Sequence, residues 1–342
     1  MAAFARVAIL LQEKRTCPAA LSFQLQCKHL GGIGLLAKYC ATHTRESEIQ
    51  KMVIEKNQMM NIHYYNVAGH VMAVQAPEVL FARLDNCLPF EVPPSSALLT
   101  LRVEVAEEPL PQNWSEEWRQ EEDGNEIVCG HAGEHPVFIF CHHGRMIGLL
   151  TTSADYRTGR LVMPRYAKLA VDNAMMITFA LATACADTLL FHASVVSCHD
   201  KAYMFLGPSG TGKSTHSQLW IKHIEGSRLI NDDNPVVRLQ DDGRVMVYGS
   251  PWSGKTPCYL QTNCPLCAIV WLKQAPHNRI SRLHPIDAYA ALLSSISGKR
   301  WDRRVADGLH HSVNRLLSLL PVHQLECLPD AEAAQICYKN GE

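Results

Sequence analysis

Apolar and polar positions alternate along residues 60–153. The stretch IHYYNVAGHVMAVQ (62–75) gives two such runs around Ala68-Gly69, the pattern of a hairpin. ALLTLRVEVA (97–106) alternates cleanly. EIVCG (126–130), VFIFCHH (137–143) and MIGLLTTS (146–153) follow at short spacing, with turns expected at Gly133 and Gly144. The acidic, tryptophan-containing run 107–125 reads as a loop. These segments predict a small antiparallel domain or layer.

The pattern changes near 166. AMMITFALATACADTLLF (174–191) is the longest apolar stretch. It barely reaches bilayer length and carries Asp187, so it predicts a buried helix within about 166–190 rather than a membrane span. Two apolar strands, HASVV and AYMFL, follow with SCHDK between them. STHSQLWIKHIE (214–225) has helical spacing, with Leu219, Trp220 and Ile224 on one side. SRLI and NPVVRL are short strands, DDGR (241–244) a hairpin turn, and CAIVWL (267–272) a buried strand. Helices at about 285–296 and 301–319, a strand VHQLEC and a helix at 330–339 complete the order. Strands alternating with helices predict an α/β domain from about residue 190. No internal repeat is visible.

Residues 1–58 fit neither pattern and form an N-terminal extension, followed by a β-rich domain at 59–165 and an α/β domain at 166–342. Met52, Met59 and Met60 precede the first clear strand, so the native start is expected at one of them; the alternative is a flexible leader. Composition adds exclusions. Hydrophobic residues make up 47 %, enough for a substantial core. The 32 Lys plus Arg nearly balance the 33 Asp plus Glu, so no basic field points to nucleic acid or an anionic membrane. Thirteen cysteines without a secretion signal read as reduced thiols in a cytoplasm.

Two stretches fit the phosphate-loop pattern G-x-x-x-x-G-K-[ST]: GPSGTGKST (207–215) and GSPWSGKT (249–256). Such a loop needs a strand before it and a helix after it, because backbone N–H groups and the helix N-terminus together hold the phosphates. The first match has both. Gly207, Ser209, Gly210, Thr211, Gly212, Lys213, Ser214 and Thr215 are therefore the candidate nucleotide contacts, with Ser214 placed to ligate Mg²⁺. The second has no helix pattern after it, and Pro251 and Trp252 fill positions where backbone should approach phosphate. Lys255 on that loop is retained as a candidate substrate contact.

LINDDNP puts Asp232 and Asp233 at a strand end, nineteen and twenty residues after Lys213. In a parallel sheet that end lies beside the loop, where one carboxylate can hold Mg²⁺ and the other can accept a hydroxyl proton. The same residues are also good turn formers.

With these motifs together, HASVV…GPSGTGKST…NDD resembles the catalytic domain of HPr kinase/phosphorylase and, more loosely, ATP-dependent phosphoenolpyruvate carboxykinase. The resemblance covers about 190–330. It implies a C-terminal phosphate-loop kinase domain behind a smaller β-rich region, with ATP and Mg²⁺ as ligands. It implies that Asp232 is the general base, that Asp233 and Ser214 hold the metal, and that His192, fifteen residues before Gly207, sits close to the phosphates. A homo-oligomer is also expected, since relatives of this fold often assemble. The acceptor does not carry over: a peptide, a protein or a small molecule all remain open. The expected activity is phosphate transfer from MgATP to a hydroxyl, against a nucleotide-responsive regulatory protein or a carboxykinase-like enzyme.

Three further features compete for a role. Cys129, His131, His135, Cys141, His142 and His143 have zinc-ligand chemistry, but strand alternation turns neighbours to opposite faces. Cys264 and Cys267 have C-x-x-C spacing without a second pair and read as packing. GKRWDRR (298–304) reads as a helix start, or as the source of an arginine for the nucleotide.

Overall fold

The computed structural model describes residues 59–254 and 256–340. The extension 1–58 and Lys255 lie outside the described residues.

The predicted hairpin forms as β1 (Met60–Val67) and β2 (His70–Pro77), paired from Val67↔His70 outward. Ala68 and Gly69 both take positive φ, as a two-residue turn matched to strand twist requires. Arg238 lies where a Gly69 side chain would go and donates to the Ala68 carbonyl at 2.9 Å. A short helix α1 (Glu78–Phe81) and a 3₁₀ turn lead to β3 (Glu91–Val92), then β4 (Leu99–Val105). A meander follows: β5 (Trp114–Glu122), β6 (Asn125–Ala132), β7 (His135–His142), β8 (Arg145–Thr152) and β9 (Thr158–Met163). The sheet order is β3-β1-β2-β4-β9-β8-β7-β6-β5.

Two expectations need correction here. The sheet is mixed, because β4 runs parallel to both β2 and β9. The run 107–125 is not all loop, since it contains β5. That strand lies at the sheet edge, paired only with β6, and is almost wholly exposed. An edge strand wet on both faces has no apolar alternation to read, and its charges discourage further pairing.

The helix expected near 166–190 is α2 (Lys168–Thr183); β10 (Thr188–Leu190) follows it. The helix packs on β4, β8, β9 and β10, so most of its surface is covered and its apolar residues need no single face. Its buried Thr178 and Thr183 donate back to the carbonyls of Ala174 and Phe179 at 2.6 and 2.7 Å, so no hydroxyl is stranded.

The second sheet holds β11 (Ala193–Cys198), β12 (Lys201–Leu206), β13 (Arg228–Asp233), β14 (Val236–Leu239), β15 (Val245–Tyr248) and β16 (Asn263–Gln274) with β10, in the order β10-β14-β15-β16-β12-β11-β13. β17 (Arg279–Arg282) and β18 (Val322–Cys327) extend it beyond β16. Between and around them run α3 (Lys213–His223), α4 (Pro285–Ser295), α5 (Arg303–Leu319) and α6 (Ala331–Asn340). Asp302 caps α5 by accepting from the Val305 N–H at 3.2 Å. One cluster of buried side chains, including Leu101, Phe140, Phe179, Val195 and Leu316, is shared by both sheets. The protein is thus a mixed α/β structure with two large mixed sheets and few helices. No helix among the described residues is long and apolar enough to cross a membrane.

Candidate functional site

Strand directions decide what meets at the second sheet's edge. β12 is parallel to β16, and β16 to β18. β11 is antiparallel to both β12 and β13, so β12 and β13 point the same way. The chain therefore leaves β12 into the first glycine loop and leaves β13 into the acidic turn at one edge. The acidic turn is not directly beside the loop's strand, as a parallel sheet would have it; β11 lies between. β11 begins at that same edge, with Ala193 opposite Asp233. His192, immediately before it, stands between loop and turn.

The loop's geometry follows from its glycines. Gly207, Gly210 and Gly212 all have positive φ, at 146°, 79° and 105°. Gly212 is the residue before α3, so the first N–H groups of that helix, from Lys213 to Thr215, have no partner within it. Lys213 folds back and donates to the carbonyls of Gly207 (2.9 Å) and Pro208 (3.3 Å). Gln274 braces the far side with long bonds to the Gly210 and Thr211 carbonyls. Ser209 donates to Glu122 on β5 at 3.3 Å. Ser214 and Thr215 are exposed. Beneath them, Ser217 of α3 meets Ser194 of β11 at 2.6 Å, both fully buried. Trp220 packs on Tyr203 and Phe205 of β12 and so fixes the angle at which α3 leaves the loop.

The acidic turn is built by Asn231. Its Oδ1 accepts from the N–H groups of Asp233 and Asn234, both at 2.8 Å, while its amide donates to the Trp252 carbonyl (3.0 Å) and Ser250 Oγ (3.3 Å). This is where the second glycine loop acts. Trp252 is buried against Phe179, the Gly254 N–H donates to the Asp232 carbonyl at 2.7 Å, and Ser253 bridges to Asp233. A side chain at Gly254 would come within 2.9 Å of the Asp232 carbonyl oxygen. No helix follows this loop; it clamps the acidic turn.

Electrostatics tie the groups together. His192 Nε2 is 3.9 Å from Asp233 Oδ1. Burial holds the His192 imidazole below its usual range, and Lys213 pushes the same way. Burial holds Asp233 above the usual carboxylate range; Asp232 adds to this, against the pull of His192 and Lys213. Lys213 is lowered by burial, opposed by Asp233 and Asp232. Asp232 itself is 5 % exposed. The structure thus gathers His192, Lys213, Asp232 and Asp233, with Ser214 at the start of the adjoining helix.

Two cavities divide the loop between them and share no lining residue. One, of about 540 Å³, meets Gly207, Pro208, Ser209 and His192. The other, of about 720 Å³, meets Gly210, Thr211, Gly212 and Thr215 and is walled by Leu219, Leu272 and Leu328.

The competing features lie elsewhere. Cys129 is buried in the shared core, His131 faces Glu117, and His142 faces Asn125. No group of three or more metal-ligating side chains is gathered among the described residues. Cys264 and Cys267 both lie on β16, where Cys264 is core. In the basic cluster, Lys299 pairs with Glu117 at 2.6 Å and Arg300 caps the Leu293 and Ile296 carbonyls. The sequence reading missed Asn231, Glu122 and the Glu117–Lys299 pair; only Asn231 had a signal, the turn chemistry of NDDNP.

No known family and no curated protein matches this sequence.

Proposed function

We propose that the protein is an ATP-dependent phosphotransferase acting on a hydroxyl. The observation that carries this reading is one sheet edge that brings a glycine loop, its lysine and helix start together with His192 and two carboxylates. Phosphoryl transfer asks a protein mainly for positioning and charge, and these are the groups suited to both.

The N–H groups of the loop and of the start of α3 hold the phosphate oxygens, and Lys213 exchanges its loop carbonyls for the β- and γ-phosphates. The apolar-walled cavity along Gly210–Thr215 takes the nucleoside. The acceptor oxygen forms a bond to the γ-phosphorus, the bond from that phosphorus to the β–γ bridging oxygen breaks, and ADP leaves with the electron pair. The hydroxyl proton passes to Asp232. That carboxylate is almost sealed from bulk water, so a bound hydroxyl is its natural proton source. His192, largely neutral at pH 7, presents a ring N–H to phosphate oxygen. Magnesium fits Asp233 and Ser214: a carboxylate pushed up by burial and by its neighbour is relieved by a divalent cation. When bound, the ion neutralises developing charge on the phosphate oxygens.

The test uses radiolabelled ATP, with water as the stand-in acceptor. Asp232→Asn is expected to cut turnover by about 10²-fold or more while MgATP still binds. Asp233→Asn is expected to raise the magnesium concentration needed for half-maximal rate. Wild-type turnover persisting in Asp232→Asn would remove Asp232 as the base.

A further inference from the structure

We propose that the cavity on the His192 side of the glycine loop binds a small organic acid, with an aromatic or aliphatic body inside the cavity and the carboxylate against Arg300. The inference goes beyond the phosphotransferase reading and does not rest on it. Neither Asp232 nor Asp233 lines this cavity, so its occupant is a ligand beside the loop, not the group that gives up a proton.

The walls fix the body of the ligand. At about 540 Å³ the cavity falls within the usual range for a small molecule. Ile127, Phe138, Met176 and Leu181 line it, from β6, β7 and α2. Trp118 of β5 and Trp301 line it too; their rings stand 5.8 Å apart and remain 40 % and 46 % exposed. Two such neighbouring rings, continuous with an apolar cavity, mark a surface that gains by being covered. Trp301 Nε1 donates to Glu117 at 2.9 Å, so that ring is already held in place. An apolar body is therefore favoured over a polar one, which would lose its hydrogen bonds to water here.

Charge fixes the head group. Among the described residues the lining holds two cations, Lys299 and Arg300, and no carboxylate. Lys299 is committed: it is 8 % exposed and pairs with Glu117 at 2.6 Å. Glu122, outside the lining, accepts from Ser209 and is opposed in charge by Lys213. Burial keeps His192 largely neutral. Arg300 is exposed, and its Nη2 donates to the Leu293 and Ile296 carbonyls at 2.6 and 3.1 Å. Both acceptors are neutral, so they hold the guanidinium in place without answering its charge, and leave Nε and Nη1 to water. A donor fixed in advance lowers the ordering cost of binding. One uncompensated positive charge thus stands beside an apolar cavity. A carboxylate answers it with charge-assisted hydrogen bonds, an amide only with neutral ones, and a cation would meet like charge.

Calorimetric titration of the full chain, without nucleotide, tests this with three probes: 4-phenylbutyrate, its neutral analogue 4-phenylbutyramide, and butyrate, which lacks the ring. The phenyl acid is expected to bind about fivefold or more tightly than the amide, and about tenfold or more tightly than butyrate. Arg300→Gln, which keeps a donor for the two carbonyls, is expected to bring acid and amide within about twofold of each other, whereas Arg300→Lys retains a preference for the acid. Trp301→Ala is expected to weaken acid and amide alike, by about fivefold or more. All three substitutions are at exposed positions, so the fold is kept. No binding of 4-phenylbutyrate to the wild type, equal binding of acid and amide, or a preference for the acid that survives Arg300→Gln would overturn the proposal. So would binding untouched by Trp301→Ala. Because no nucleotide is present, the outcome is independent of whether the protein binds MgATP.

Discussion

Replacing Asn231 with alanine is expected to destabilise the fold by about 3 kcal/mol. The side chain is fully buried and makes four hydrogen bonds, two to backbone N–H groups of the acidic turn and two to the second glycine loop. At about 1 kcal/mol net for each bond the total is about 4 kcal/mol. Ser250 Oγ loses one donor but still accepts from the Trp252 N–H at 3.2 Å, so the loss there is small. The Trp252 carbonyl likewise keeps the Ser250 hydroxyl, whereas the Asp233 and Asn234 N–H groups lose the acceptor that shapes the turn. Urea unfolding checks the value, with the shift read from the midpoint at unchanged slope. Asn234→Ala is the control: it removes one bond, at 2.9 Å to Asp233, from a partly exposed site and is expected to lose less than about 1 kcal/mol. Near-equal losses for the two variants, or a loss below about 1 kcal/mol for Asn231→Ala, would refute the claim that Asn231 clamps the turn.

Gly254→Ala drives a methyl group toward the Asp232 carbonyl and the Asp233 side chain, so turnover is expected to fall at least tenfold while calorimetric MgATP affinity stays within about twofold. His70 accounts for part of the acid sensitivity. Burial, helped by Arg238, lowers its folded pKa to about 4 from 6.5. The unfolded chain therefore takes up the proton first as pH falls; stability is full above pH 6.5 and is lost progressively down to about 4, by up to about 3 kcal/mol. His70→Gln keeps a partner for Thr188, 2.8 Å away, and is expected to flatten the stability profile in that window when unfolding is followed against pH.

Local signals carried most of the elements. The hairpin at Ala68-Gly69 and the meander turns at Gly133 and Gly144 were legible because positive-φ turns recruit particular residues. The stripe of α5, with Val305, Leu309, Val313 and Leu316 buried, was legible from its period. β5 was not, because exposure on both faces removes the alternation. Nor was the parallel pairing of β4 with β2 and β9, which local pattern does not encode. The candidate site divides the same way. The glycine loop and the acid pair have sequence signatures. Trp252 reads as an obstruction to phosphate binding, and its burial against Phe179 explains why: it anchors a clamp. The contact of Glu117 with Trp301, 184 residues away along the chain, leaves no local trace. The interposition of β11 between β12 and β13 is likewise a matter of topology.

The central claim is that residues 207–215 hold the phosphates and that the look-alike loop at 249–256 does not. Calorimetric titration of MgATP into wild type, Lys213→Ala and Lys255→Ala, side by side, tests it most directly. Binding in wild type and Lys255→Ala, with a loss of at least tenfold in Lys213→Ala, is the predicted result. Loss confined to Lys255→Ala, or no binding by the wild type, would contradict it.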